Sequence, residues 1–344
     1  MTAVDDSART GETSSRMLQM LNACLTVQAL HVVATLGIPD RVADGPAAVS
    51  DLAAVTGAHA PSLRRLLRML VGAGVFHEQT DGRFALGPLG RTLCSDGPES
   101  VRDWALYVGA AQPWEAWGQL RETVMTGRSG FVLAHGMPTY EYLVRHPDLG
   151  VPFDRWMTRQ SDQHNGAVVA AYDFSGFRTV ADVGGGQGST LAAILRANPS
   201  LRGILVDQPQ VVAGAEPVLR AAGVADRCEV LEGDMLQGVP RGADAYLIKR
   251  VLMIWGDEPA IQVLRHCAEA VSGNGRVLVI EMIMPPGNDP SPARSFDLLM
   301  LVANEEGRVR TEAEFRDLFA AAGLRLERVI PTASPNFILE AVAA

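Results

Sequence analysis

The run Asp182-Val183-Gly184-Gly185-Gly186-Gln187-Gly188 places glycines where an apolar stretch, TVADV, gives way to a helical one. Glycine at such a strand-to-helix turn lets the backbone approach a ligand closely at the carboxyl edge of a sheet. The dinucleotide fingerprint GxGxxG fails in both registers, because its last position would fall on Ser189 or on Leu191. The phosphate-cradling GxxxxGK[ST] is also absent, so a pyrophosphate site is disfavoured. Two carboxylates follow at the ends of later apolar runs. Asp207 can accept hydrogen bonds from both hydroxyls of a ribose. Asp234, in Gly233-Asp234-Met235, can accept from the exocyclic amine of a purine while Met235 packs on the ring. Singly, each is as well explained as a cap or turn residue; in this order, on successive strand ends, they point to a nucleoside.

The elements that must position these residues are legible from periodicity. Alternation of strand and helix begins after Ala171, with strands at Thr179–Val183, Gly203–Asp207, Cys228–Glu232, Ala243–Lys249 and Val277–Glu281. Helices are predicted at about Thr190–Asn198, Gln210–Ala222 and Pro259–Val271. Nearly all-apolar strands such as AYLIK and VLVIE suit a parallel sheet buried on both faces. A helix at Thr311–Ala322 and two extended runs, LRLERVIP and NFILEAV, close the chain. The predicted class is α/β, a Rossmann-like doubly wound sheet with an antiparallel C-terminal strand. Upstream, helical signals, a Gly57 turn and a hairpin around Asp81-Gly82 outline a mostly helical winged-helix domain.

The predicted division is a disordered tail over 1–16, a winged-helix dimerisation domain over 17–100, a helical connector with pocket helices over 101–165, and the ligand-binding sheet over 166–344. Length and balance agree with two domains: 344 residues, 47% hydrophobic and 20% charged, with a formal net charge of −9. That charge gives no bulk field for nucleic acid or an anionic membrane. Arg64, Arg65 and Arg68 therefore read as a solvated helix face rather than a DNA-recognition surface. No uninterrupted apolar run is read as long enough to span a bilayer. Four scattered cysteines without a CxxC pair fit a reducing cytoplasm, and no metal is predicted.

Together, ADVGGGQG, VDQP, EGDM, DAYLIKRVL, IWGDE, GNGRVLVIE and DLLMLVANEEGRVRTEAEF resemble the plant-type small-molecule O-methyltransferases (the caffeate, acetylserotonin and hydroxyneurosporene group) and their bacterial secondary-metabolism relatives. The resemblance implies S-adenosyl-L-methionine as cofactor, a homodimer formed through the N-terminal domain, and a role such as antibiotic biosynthesis. By this likeness Asp182, Gly184 and Gly186 belong to the loop that takes the methionine part. Asp207 takes the ribose, and Gly233, Asp234 and Met235 the adenine. Lys249 matches a cofactor-contacting position and Trp255 packs nearby or serves as plain core.

The same likeness exposes a departure. The family's V-[LI]-H-[DN]-W, whose histidine is the general base, reads here Val251-Leu252-Met253-Ile254-Trp255. A thioether takes no proton usefully. Of the two glutamates that frame the family histidine, one matches Glu281 and the other is replaced by Val309. Candidate catalytic positions are therefore Glu281, Met253 and His164, with Asp162, Glu305 and Glu306 as weaker alternatives for a base. Substrate is expected between the domains, lined by Phe153, Trp156, Met157, Met253, Ile254, Met300 and Asn304, with Met284–Pro292 near a lid. The expected activity is methyl transfer to an acidic phenol or enol by proximity rather than through a histidine. A non-methylating cyclase, pericyclase or hydroxylase, and a ligand-sensing regulator, are the other readings.

Overall fold

The computed structural model describes residues 3–97, 99–271 and 273–344, with side chains from residue 12 onward. Contacts divide the chain into two units. The first runs up to Trp114 and takes in His146–Arg159; the second comprises Glu115–Arg145 and Gln160–Ala344. The 101–165 stretch, predicted as a connector, is thus shared between the units rather than standing apart.

In the first unit the helices Val49–Thr56 and Ala60–Gly72 lead into a hairpin of β1 (Phe76–Glu78) and β2 (Phe84–Leu86), paired antiparallel. This is the predicted helix, turn, helix and wing. Leu63, Leu67 and Leu70 recur at helical spacing and are fully or almost fully buried with Val33, Ile38, Phe76 and Phe84. Each such side chain contributes about 1.5–3 kcal/mol by leaving water. Arg64 and Arg68, on the other face, donate to the Glu78 carboxylate at 3.2 and 2.9 Å, so the helix's cations are answered by its own wing.

Residues 1 and 2 lie outside the described residues, and from Ala3 the chain is helical as far as Leu21, no proline interrupting it. A second helix, Ala23–Thr35, follows at Asn22. Glu12–Thr35 is long and apolar enough to cross a membrane by length and composition alone, contrary to the reading that no stretch qualifies. A turn at Asn22 joins the two helices. Ala29, Val33 and Ala34 of the second are core residues, whereas Met17, Leu18, Met20 and Leu21 of the first are exposed.

The second unit is built on a seven-stranded sheet: β3 (Thr179–Val183), β4 (Arg202–Asp207), β5 (Cys228–Glu232), β6 (Ala245–Lys249), β7 (Arg276–Glu281), β8 (Leu324–Pro331) and β9 (Phe337–Ala343), in the order β5-β4-β3-β6-β7-β9-β8. The first five are parallel, β9 is antiparallel to β7, and β8 pairs antiparallel on its outer edge. Strand order reverses on either side of β3, the switch point at which such sheets bind ligands. Ala245 to Ile248 of β6 and Val277 to Ile280 of β7 are completely buried, as continuous apolar strands covered on both faces must be. One predicted helix is corrected: Gln210–Ala222 forms as two pieces, Pro209–Val212 and Ala215–Ala221. The break lies at Gly214, where a Cβ would stand 2.6 Å from Gln187 Nε2, so a side chain of the glycine loop fills that space.

Candidate active site

The glycine loop leaves β3 with Gly184, Gly186 and Gly188 all at positive φ (70°, 64° and 83°), a backbone path that excludes most other residues. Gly184 N donates to Val206 O at 2.8 Å, tying the loop to the next strand. A Cβ on Gly184 would meet Met235 Cε at 2.7 Å and Val251 Cγ2 at 2.9 Å. Asp207, ending β4, accepts from Gly186 N at 2.8 Å through one oxygen and from Gln208 N at 2.7 Å through the other. Asp234 accepts from Leu236 N at 2.9 Å, closing the turn that delivers Met235 to the loop. The loop, Asp207 and Met235 are therefore brought together at one sheet edge. Gly233 sits beneath, a Cβ there lying 3.1 Å from Val206.

Asp182, at the base of the loop, is wholly buried, and among the described residues neither carboxylate oxygen accepts a well-formed hydrogen bond. Burial drives its pKa up to about 7 despite the attraction of Lys249. Lys249 ends β6 and donates to Asn165 Oδ1 at 3.1 Å and Thr190 Oγ1 at 3.0 Å; burial lowers its pKa to about 8. Asn165 also donates to Ser189 Oγ at 2.7 Å, and Ser189 in turn donates to Asp162. Asp162 thus anchors the helix Pro147–Ala171 to the first helix after β3. An orphaned buried carboxylate, a glycine cradle roofed by Met235 and a second carboxylate on the next strand fit a cationic nucleoside such as S-adenosylmethionine.

Around Met253 the polarity changes. Met253, Met282, Ala293, Met300 and Val309 form one buried cluster, with Ile254, Met284, Phe296 and Leu299 packed against it. Asn304 borders it, its side-chain amide 3.6 Å from Met300 Sδ. Beneath the cluster Glu281, 1% exposed, accepts from Met253 N at 3.3 Å, and its other oxygen is unpartnered. Burial raises its pKa to about 7, against Arg250 and Arg310. Arg310, fully buried, donates to the carbonyls of Leu252 (2.8 Å) and Trp255 (2.9 Å) and to Asp257, fixing the segment that carries Met253. Trp255 itself packs on the sheet core together with Met235 and Val251.

His164 has a buried, unpartnered Nδ1, and burial with the nearby cations Arg250 and Lys249 lowers its pKa, so it is neutral. Glu305 accepts from Ser129 N at 3.2 Å, and Glu306 lies at a turn with φ 60°. Phe153 and Trp156 fall in the first unit, where Phe153 packs tilted against Tyr107 (5.0 Å) and Trp156 stacks on Trp104 (5.5 Å); Met157 belongs to the same unit. In the Met284–Pro292 loop, Gly287 O and Asp289 O accept from Arg294 at 2.5 and 3.2 Å, and a groove of about 660 Å³ runs beside it. Sequence reasoning missed Arg250, Gln160, Asn165, Phe296 and Arg310. The Lys249-Arg250 pair closing an apolar strand was the available signal, since paired cations there need buried partners.

A model of the O-methyltransferase domain matches residues 117–325, and one of the O-methyltransferase dimerisation domain matches residues 18–96. The chain is 43% identical to the phenazine O-methyltransferase PhzM of Lysobacter antibioticus, over 95% of this chain and 96% of that one. It is 41% identical to the mitomycin biosynthesis 6-O-methyltransferase of Streptomyces lavendulae, over 93% and 92% of the two chains. Among solved structures it superposes on LaPhzM with a TM-score of 0.93 at 42% identity, covering 96% of this chain and 99% of that one. It superposes on the mitomycin 7-O-methyltransferase MmcR with a TM-score of 0.92 at 39% identity, covering 98% and 100%.

Proposed function

The chain belongs to the O-methyltransferase family, and on that premise we propose that its acceptor is an acidic hydroxyl on a fused aromatic or quinone-like secondary metabolite, methylated without a proton-accepting histidine. The chain is an S-adenosylmethionine-dependent methyltransferase of small secondary metabolites and works as a homodimer. Relatives are named for O-methylation of a phenazine, for 6-O-methylation in mitomycin biosynthesis, and for O-methylation of 3-amino-4-hydroxybenzoate and of 2,7-dihydroxy-5-methyl-1-naphthoate, the last two phenolic. None of these names supports the non-methylating alternative.

S-adenosylmethionine supplies a sulfonium methyl, which the acceptor oxygen takes with a lone pair while the C–S bonding pair stays on sulfur. The protein's part is to hold and align. Gly184 and Gly186 keep side chains off the loop, Asp207 is poised to accept from ribose hydroxyls, and Asp182 offers a counter-charge once ionised. Methionines around Met253 adapt to an irregular apolar ligand and exclude water. The observation that carries the reading is Met253 itself: the family's base position is a thioether buried among Met282, Met300 and Val309. An acceptor that ionises near neutral pH needs only proximity and orientation. Work in the cytoplasm accords with four free cysteines.

The experiment is to incubate purified protein and S-adenosylmethionine with a panel of hydroxyphenazines, hydroxyquinones and hydroxynaphthoates. One S-adenosylhomocysteine should be released per methyl ether formed, fastest with the most acidic hydroxyls. Turnover confined to weakly acidic alcohols would overturn the acceptor class.

A further inference from the structure

Arg250 follows Lys249 at the end of β6 and is one of two non-glycine residues at positive φ (56°) among those described. Such a conformation is strained for a residue with a side chain and persists where surrounding structure enforces it. Here the backbone N–H is held by Ile280 O at 3.0 Å. The guanidinium carbon lies 4.5 Å from the centroid of the Phe296 ring, which packs on the Met253 cluster. Nη1 donates to Gln160 Oε1 at 2.5 Å, while Nε is buried and has no hydrogen-bond partner. An arginine stays cationic at any working pH, so a permanent charge with an unused donor stands beside the otherwise apolar Met253 cluster.

The groups facing it leave that charge unbalanced. From β7, Glu281 forms no salt bridge with it, and burial raises this carboxyl's pKa to about 7 against the attraction of Arg250 itself. From the helix Pro147–Ala171 come neutral His164 and the uncharged Gln160. From the helix Thr139–Arg145 comes the phenol of Tyr140. On the helix Pro292–Ala303, the Asp297 carboxylate accepts from Val309 N at 2.8 Å. Lys249 adds a second positive charge nearby, bound to Asn165 and Thr190. An anion would complete this set.

We propose that Arg250 binds the acceptor oxygen as its anion, doing electrostatically what the absent imidazole would do by proton transfer. The inference rests on the reading above that the acceptor is an acidic hydroxyl. The acceptor gives its proton to bulk water on or before binding, and the resulting phenolate attacks the methyl group. Nothing in the Met253 cluster then needs to take a proton, which is why Met253 and Val309 can be apolar.

The test uses a 1-hydroxyphenazine, whose neutral and ionised forms absorb at different wavelengths, bound to homodimer saturated with S-adenosylhomocysteine. Calorimetric binding of S-adenosylhomocysteine first verifies that wild type, Arg250→Lys and Arg250→Met fold with an intact cofactor site. The bound probe should ionise at least about one pH unit lower than in solution on wild type, partly so on Arg250→Lys, and at its solution value on Arg250→Met. In turnover, Arg250→Met should lose about 100-fold in kcat/KM at pH 7, as removal of a charge-stabilising donor does, and recover most of it as pH rises past the acceptor's own pKa. A probe that fails to bind, that ionises on wild type as in solution, or that keeps its shift on Arg250→Met overturns the proposal. Because ionisation is read without methyl transfer, that result is separate from a failure of turnover.

Discussion

Glu281 Oε1 accepts the backbone N–H of Met253 at 3.3 Å. The acid that the resemblance places beside a catalytic imidazole therefore holds the main chain of the residue standing in for it. With Val309 in the other acid's place, the side chain of Met253 is left to packing and the segment's position to Glu281 and Arg310.

Glu281 makes stability depend on pH in an unusual direction for a carboxylate. Its folded pKa, about 7, lies above the ordinary 4.5, so the folded state binds more protons and stability falls as pH rises from about 4.5 through 7. At 1.36 kcal/mol per unit the loss is up to about 3 kcal/mol. Glu281→Gln, which still accepts the Met253 N–H, should flatten this slope and match or exceed wild-type stability at pH 8. Urea unfolding at pH 5, 6.5 and 8 reads it, and a wild-type stability that climbs over that range would refute the assignment.

Asp182 should couple cofactor binding to a proton. Buried, its pKa is about 7; a bound cation favours its ionised form, so binding at pH 6 should release most of one proton. Lys249, with its pKa near 8, is already protonated at pH 6 and takes no part. Calorimetry of S-adenosylmethionine binding in two buffers of different ionisation enthalpy measures the release. Asp182→Asn should abolish it and weaken binding at least about tenfold, about 1.4 kcal/mol.

Gly184→Ala should damage the cofactor site by geometry alone. The added methyl meets Met235 and Val251 at 2.7 and 2.9 Å and sits on a backbone at φ 70°. The strain is about 1–3 kcal/mol, and S-adenosylhomocysteine affinity should fall more than tenfold. Gly186→Ala shares the positive φ but meets nothing within 4 Å, so it should lose less. Equal affinities for the two variants would contradict the packing described.

Met253→His restores the residue type of the family motif but not its surroundings. Burying an imidazole among Met282, Met300 and Val309 should cost about 1–3 kcal/mol of stability. Adding Val309→Glu should recover part of that loss and introduce a limb near pH 6.5 in the kcat/KM profile. A profile unchanged in the double variant would show that the position no longer faces the acceptor.

Much of the fold was legible because its signals are local. The nearly unbroken apolar strands, the glycines at positive φ and the acids that end β4 and follow β5 each answer to their own stretch of chain. The close approach of Gln187 to Gly214, at the break between the two short helices, was not legible, since the two residues are well apart in sequence. Nor was the answer to Arg64 and Arg68: their partner, Glu78, lies across the turn on the wing.

The order of residues alone determined the architecture and pointed to a nucleoside at the sheet edge, because these depend on residue type, periodicity and spacing along one strand end after another; the place of Met253 in a histidine's stead came from the family resemblance. Only folding decided which charges are left without partners. Asp182 and Arg250 stand out because side chains from distant segments bury them without fully satisfying them, and desolvation is a property of the packed interior that no linear spacing contains.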